Sequence, residues 1–531
     1  MSMFDRKDEE AIAQTPNAAS AHNLTRVDQE VSLQRSKTRT DEPPESDIEI
    51  VDWDGPDDPK NPFNWPTRKK WILTITVLLG TFTVLINGTI ITVAWEDINH
   101  EFGISDAHFP NSFWPVTSWT IGGGIFMMIL LPVLEDFGMR LGYLISYFLF
   151  IIFLIPQALA NSFATLIVVR FFAGGCVSLI ANITCSTICD VWVGDRGRTV
   201  PMSLYITAYL AGSSISPVIG GAIHKNLASW RWILWIQLIW TGIFFPIFFF
   251  LFRETRASIL LRRKAAHIRR KTGRKAYTRD ELDAPPLTSV LLESVKRPIY
   301  MLCTEYVVFS FTLWSAFSVG MVYLFTQSVE QVFTALYGWD SSSAGYVQGA
   351  VVIGQLVGWP FQILGSKLYF ASASRNTETP GMPIPEARLY MSILGGFVGM
   401  TGGMFVYGWA SYPWLPWIAP TMGLGMVGFG IELVVCGIAD YVTDCYSKYA
   451  ASAVAAVACG ENVFAGFLPF AAASMYSTLG FQWASSLLGF LALLLAMAPV
   501  LLLFKGRAIR ARSPFIREAQ HEVKMNHEAG V

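Results

Sequence analysis

The chain has 531 residues, of which 52% are hydrophobic, 14% aromatic and only 15% charged, with a formal net charge of −1. So apolar a composition at this length excludes an ordinary soluble protein and points to a chain that crosses a membrane many times. The near-zero net charge conceals an asymmetry, because charges crowd into the two ends and one central segment.

Residues 1–70 hold 15 Asp or Glu against 10 Lys or Arg, with prolines throughout and few large apolar side chains, which predicts a disordered cytosolic tail. Its end is more specific: Arg68, Lys69 and Lys70 abut the first apolar run, and Trp65 and Trp71 suit a membrane interface. That run begins only at Trp71 and is expected to act as an uncleaved insertion signal. Windows of roughly 20 apolar residues give six spans at about 71–93, 113–134, 141–160, 164–187, 201–223 and 232–252. Six more follow at about 299–324, 344–364, 389–409, 414–437, 449–471 and 482–504.

The expected fold is therefore an all-α membrane protein with twelve transmembrane helices in two pseudo-symmetric six-helix bundles facing each other across a cavity. Its parts are the tail 1–70, an N-terminal bundle 71–252, a basic cytosolic linker 253–298, a C-terminal bundle 299–504 and a cytosolic tail 505–531. Residues 253–297 alone contain thirteen basic side chains, whereas with a cytosolic N-terminus the outer loops contain only Lys225 and Arg231. By the positive-inside rule both termini are expected in the cytosol. Within the linker, RASILLRRKAAHIRRKTGRKAYTRDEL sets leucines and alanines between arginines at helical spacing. It reads either as an amphipathic helix on anionic lipid or as a solvated basic segment.

Several polar residues fall where they are costly. Arg170 is the lone charge of its span, and an arginine at bilayer depth costs ~2.5–3.5 kcal/mol or more. It serves either ion or substrate coupling, or bonds to backbone carbonyls that lock helices. Glu432 and Glu461 lie inside spans of the second half, where a buried carboxyl can carry a proton near neutral pH. Either could instead attract a cationic substrate or cap a packed polar cluster. In the turn PVLEDFGMR, Gly138 suits a tight bend, with Glu135 and Arg140 as candidates for a latch to the neighbouring cytosolic loop. A charged hinge, Asp190 to Arg198, joins two spans and must lie in water. Gly212, Ser216 and Gly220, four apart, with Pro217 and Gly221, allow close helix approach and a kink. Aromatic residues such as Trp119, Tyr205, Tyr209, Trp314, Tyr323 and Trp359 fill the spans, and a minority lining a cavity would suit planar or amphipathic substrates.

Absences narrow the function further. No Gly-Lys pair exists, so there is no P-loop and no direct ATP coupling. No His/Cys cluster has metal-ligand spacing, so no metal or cofactor is expected and no enzymatic role follows. The basic linker lacks interleaved aromatics, which argues against nucleic acid as a partner. No disulfide is expected among the seven cysteines.

These motifs together resemble the major facilitator superfamily, and within it the fungal twelve-span drug/proton antiporters, the branch of multidrug and polyamine exporters. The likeness covers about residues 52–512. PVLEDFGMR resembles the loop between helices 2 and 3, with Glu135, Gly138 and Arg140 on its acid, glycine and basic positions. LIVVRFFAGG resembles the helix 4 motif, with Arg170 on the arginine implicated in proton coupling. GSSISPVIGG resembles the antiporter motif of helix 5, through Gly212, Pro217, Gly220 and Gly221. DVWVGDRG, with Asp190 and Arg196, as well as RETRASILLRRK, PEARLY and YVTDCYSKYAASA, look like the fungal branch. The loop motif departs at Leu131 and Met139, and Glu461 stands where related exporters often carry a base. The resemblance implies a proton-coupled efflux antiporter in the cell (plasma) membrane, exporting small organic compounds such as drugs, fungicides, toxins or secondary metabolites. Its partners would be the small-molecule substrate, protons and membrane lipid, and it would act as a monomer. A polyamine or other organic-cation exporter, and a carrier-fold ligand sensor, are the alternatives.

Overall fold

The computed structural model describes residues 48–106, 109–227, 229–376 and 381–519. Among them, ten helical segments are long and apolar enough to cross a membrane. In the first half these comprise α1 (Thr67–Leu85) with the short α2 (Trp95–Phe102), α3 (Trp114–Phe137), α4 (Met139–Ala158), α5 (Phe163–Val191), α6 (Gly194–Leu227) and α7 (Trp230–Leu251). The linker forms α8 (Ala257–Thr272) and α9 (Leu287–Thr304). The second half begins with α10 (Tyr306–Tyr337), then α11 (Ser341–Val347) and α12 (Gly349–Ala371). Next come α13 (Leu389–Leu394) and α14 (Gly403–Trp409), joined by a π-helical stretch over Gly395–Gly402. Last are α15 (Ile418–Tyr446) and α16 (Ala450–Arg512).

The expected twelve spans thus appear as ten segments, because the last three fall within one continuous stretch from Ile418 to Arg512. It is interrupted at Ser447, whose φ is +25°, and at Gly480, where φ is +77° and the backbone leaves the helix. Other boundaries differ from expectation as well, two of them with a change of backbone. The first helix stops at Leu85 and gives way to a tighter turn over Ile90–Ala94, and the seventh expected span starts at Tyr306 rather than 299, after a break at Glu305.

Both halves close on themselves by the same device. A Cβ added to Gly122 would collide with the Phe171 carbonyl, and one on Gly174 with that of Trp119, so α3 and α5 touch backbone to backbone. In the second half, Gly354 meets the Gly425 carbonyl and Gly428 that of Val351, which brings α12 and α15 together in the same way. The repeat that hydropathy spacing alone implied is therefore visible as paired glycine contacts.

The tail differs from the expected disorder over its last part. Glu49–Ile50 pairs in parallel with Ala276–Tyr277 of the linker. Val51 is buried against Ala265 and Ala276, and Lys264 pairs with Asp54. A low average hydrophobicity hid this local apolar patch. The apolar side of α8 is consequently covered by the chain's own N-terminal segment rather than left for lipid. Residues 48–66 and the linker mark one face of the bundle, here the linker face; the opposite end is the far face. The rest of the expected tail, residues 1–47, lies outside the described residues.

Candidate functional site

A cavity of about 250 Å³ lies between the halves. Its walls come from α3, α5 and α6 on one side and from α10, α15 and α16 on the other, with Trp119, Tyr205 and Tyr209 supplying aromatic surface. Toward the linker face it meets a vestibule of about 980 Å³, the two sharing Met127, Asn182, Cys185, Cys189, Asp444 and Ala458 among their linings. The vestibule extends to Glu135, Arg256, Arg375 and Lys448. The path from mid-membrane is thus open to the linker face.

The far face is sealed. The Trp95 indole N–H donates to both oxygens of Glu330, at 2.7 and 2.8 Å. His224 bridges Asp97 (2.7 Å) and the Ser342 hydroxyl (3.1 Å), and Lys225 donates to the Ser343 hydroxyl at 3.2 Å. The Ser343 hydroxyl and amide also hold the Asp340 carboxyl below its ordinary range, with Lys225 adding to the effect, so it remains charged beside that lysine. Phe109, Phe113 and Trp114 of the first half pack around Phe470 of the second, at 4.9, 5.8 and 5.1 Å between ring centres.

α6 is the seam along which the halves meet. Trp359 donates to the Ser203 hydroxyl (3.1 Å), Thr207 to the Glu432 carboxylate (2.6 Å) and Gln355 to the Ser214 hydroxyl (2.9 Å). These hydroxyls recur at helical spacing on one side of α6, which is the signal in the sequence that would have located the seam. Farther along, the antiporter-motif glycines divide their work. Gly212 and Gly220 face the first half's own backbone at Phe82 and Ile90, while a Cβ on Gly221 would stand 2.6 Å from the Ser342 oxygen across the seam. Pro217 lets its carbonyl approach Gly345 of α11, where an added Cβ would come within 3.0 Å.

The three membrane-depth charges separate into different environments. Glu461 lies on the cavity wall beside Asn462 and accepts a hydrogen bond from the Ser315 hydroxyl of α10. Glu432 is fully buried, lines neither cavity, and has one carboxylate oxygen without a partner. Arg170 is likewise fully buried and off the cavity; its Nε donates to the Pro115 carbonyl (2.9 Å) and its Nη2 to those of Asn87 (2.9 Å) and Gly88 (2.6 Å). It fastens the end of α1 to the start of α3. The structure therefore does not bring Arg170 and the two glutamates together.

On the linker face, Glu135 does not pair with Arg140. Arg256, from the turn after α7, reaches both Glu135 (3.4 Å) and Asp190 (3.2 Å), while Arg140 donates to the Phe249 carbonyl at 3.1 Å. Burial opposes the Arg256 charge, but the carboxylates of Glu135 and Asp190 outweigh it and raise its pKa above the ordinary value. Gly138, with φ of +113°, leaves room for Glu254, whose carboxylate accepts from the amides of Met139 and Arg140. Arg196 crosses the seam to lie 5.2 Å from the Phe370 ring. The second half has its own cluster: Arg388 pairs with Asp440 (3.3 Å) and Asp444 (2.9 Å) and lies 3.6 Å over the Tyr369 ring. The RETR and PEAR stretches stand out in the sequence as signatures, yet nothing local to them gives Glu254, Arg256 or Arg388 a task. All seven cysteines are free, and among the described residues no group of three or more His, Cys, Asp or Glu is disposed to hold a metal.

Residues 77–458 match the family model described as Major Facilitator Superfamily. Among curated proteins, the chain is 32% identical to an MFS-type transporter of Penicillium rubens, over 86% of this chain and 82% of that one. It is also 32% identical to an efflux pump of Floropilus chiversii, over 89% and 86% of the two chains. A citrinin biosynthesis cluster transporter of Monascus ruber is 30% identical, over 91% and 95%. Among solved structures, the proton:xylose symporter XylE superposes with a TM-score of 0.60 at 16% identity, covering 84% of this chain and 97% of that one.

Proposed function

Because this chain belongs to the Major Facilitator Superfamily, and is thus a multi-pass membrane transporter rather than an enzyme, we propose that it is a proton-driven exporter of small organic compounds. The two breaks in the final segment serve as turns in this reading, making twelve crossings, with both termini in the cytosol and the protein in the cell membrane. The observation that carries the reading is Glu461: one carboxylate at bilayer depth, on the wall of an aromatic-lined cavity that opens toward the basic linker. Cargo enters from that cytosolic side. A proton arriving from the far side neutralises Glu461, lowers its hold on the cargo, and allows the halves to tilt back. Glu432, bonded to Thr207 across the seam, is the second candidate for a proton, and its protonation would alter the seam itself. Arg170 contributes by fixing the corner that α1 and α3 form. The names of the relatives, an efflux pump and a citrinin cluster transporter, favour a drug-like or secondary-metabolite cargo over a nutrient.

The test is flux in proteoliposomes under an imposed pH gradient, with candidate aromatic metabolites. Wild type is expected to move cargo against its gradient, whereas Glu461→Gln should still exchange cargo down its gradient but lose pH-driven accumulation. Undiminished accumulation by Glu461→Gln would remove this carboxylate from the mechanism. Because Asp195, Asp440 and Asp444 of the cavity lining pair with Arg198 and Arg388 whereas Glu461 forms no ion pair among the described residues, an organic cation is the second cargo class to screen. Saturable binding with no flux in any gradient would instead favour a ligand sensor.

A further inference from the structure

The throat between the cavity and the vestibule carries sulfur chemistry that cargo transport does not use. Cys185 and Cys189 sit on one side of α5, one turn apart, a rise of about 6 Å, and both line the cavity and the vestibule. The Met202 thioether of α6 lies 3.9 Å from the Cys185 sulfur. Arg198, also from α6, lines the same two spaces, a cationic residue of the kind that activates a nearby thiol toward electrophiles.

No other two cysteines share this arrangement. Cys176, Cys303, Cys436 and Cys459 line neither the cavity nor the vestibule, and Cys445, which borders the vestibule alone, is buried and does not reach the cavity. A pair of thiols facing one solvent-connected passage differs from a buried cysteine that only packs.

We propose that Cys185 and Cys189 form a dithiol site for thiophilic ligands that bridge two sulfurs, with a trivalent arsenical as the representative chemistry. An organoarsenic oxide reacts with both thiols: two As–S bonds form, and the arsenic-bound oxygen takes the two thiol protons and leaves as water. Arsenic stays trivalent, so no oxidant or reductant takes part. Two thiols on one rigid helix turn make the second bond intramolecular, which strengthens capture over a single thiol by on the order of 10²-fold or more. The bound group occupies the throat through which cargo would pass.

The probe is phenylarsine oxide added to the purified full chain. Expected is one arsenical per chain, released by a small dithiol but not by a monothiol, and mapped by peptide mass spectrometry to the segment containing Cys185 and Cys189. Cys185→Ser or Cys189→Ser alone should weaken capture by roughly 10²-fold. Mapping in the wild type makes the outcome independent of whether the variants fold. Arsenical found on other cysteines, release by a monothiol, or equal capture by the double serine variant would overturn the site. Since binding is read directly, the result stands apart from whether the chain exports anything.

Discussion

The two ends of the bundle interface are built from different materials. The far face is joined by short neutral or singly charged contacts made directly between halves, among them Trp95 to Glu330, His224 to Ser342, and the near-contact of Gly221 with Ser342. On the linker face the strong ion pairs stay within one half: Arg256 with Glu135 and Asp190 in the first, Arg388 with Asp440 and Asp444 in the second. Between halves that face offers the looser Arg196 to Phe370 approach and the vestibule. The difference teaches where each half is rigid and where the pair can hinge. Charged networks hold each half together at the linker face, so that face can part as two solid bodies, while many weak contacts close the far face and can be broken a few at a time.

The largest expected effect tests whether Arg170 belongs to that rigid framework or to the moving part. Removing its side chain takes the guanidinium donor from the carbonyls of Asn87 and Gly88 in a site that water does not reach, and leaves that of Pro115 with the Ser118 hydroxyl. Each buried unsatisfied acceptor costs about 1–3 kcal/mol. Arg170→Ala should therefore lower the melting temperature in detergent sharply. Arg170→Lys should rescue little of it, because one ammonium cannot serve carbonyls that a planar guanidinium reaches from two nitrogens. A variant that melted normally yet lost pH-driven flux would transfer Arg170 from framework to coupling.

A smaller effect separates the two faces more finely, using adjacent glycines. Gly220 packs on Ile90 of its own half and Gly221 on Ser342 of the other. Alanine raises helix propensity by up to about 1 kcal/mol, so any loss must come from the collision of its Cβ. Gly220→Ala should depress thermal stability and leave the far face closed. Gly221→Ala should force the far face apart by about 1–3 kcal/mol, raising alkylation of a Ser342→Cys reporter by on the order of tenfold or more. The measurement is labelling with a membrane-impermeant maleimide in a background stripped of native cysteines. If both variants opened the reporter equally, the division between framework and hinge would be lost.

Much of this layout was legible in the sequence. The hydropathy windows located the helices, and the span read at 389–409 coincides with the observed Leu389 to Trp409. Gly212, Pro217, Gly220 and Gly221 were found as a close-packing set because small residues spaced four apart along an apolar helix let another backbone come near. What escaped depended on rotation and on distant partners. Composition places Arg170 and Glu461 at similar depth, but only the rotation of α5 and α16 decides that one meets carbonyls and the other a cavity. Arg256 joins Glu135 over 121 positions of chain, and no local pattern announces such a pair. The ordered stretch at residues 48–66 was hidden for the opposite reason, a few apolar residues diluted by many polar neighbours.

The smallest expected effect asks whether one bond of the far face matters by itself. Trp95 donates a single N–H shared between both oxygens of Glu330, which also accepts from the Ser341 hydroxyl. Trp95→Phe keeps most of the ring area and removes only that donor. A hydrogen bond to a charged group is worth about 1.5–3 kcal/mol, but water arriving from the far side can replace part of it. Alkylation at the Ser342→Cys reporter should thus rise only about fivefold, less than for Gly221→Ala, and Glu330→Gln should behave alike, since its amide still offers one acceptor. An effect of Trp95→Phe larger than that of Gly221→Ala would mean that the far face is held by one dominant latch rather than by many weak contacts, and the contrast between the two ends would have to be redrawn around Glu330.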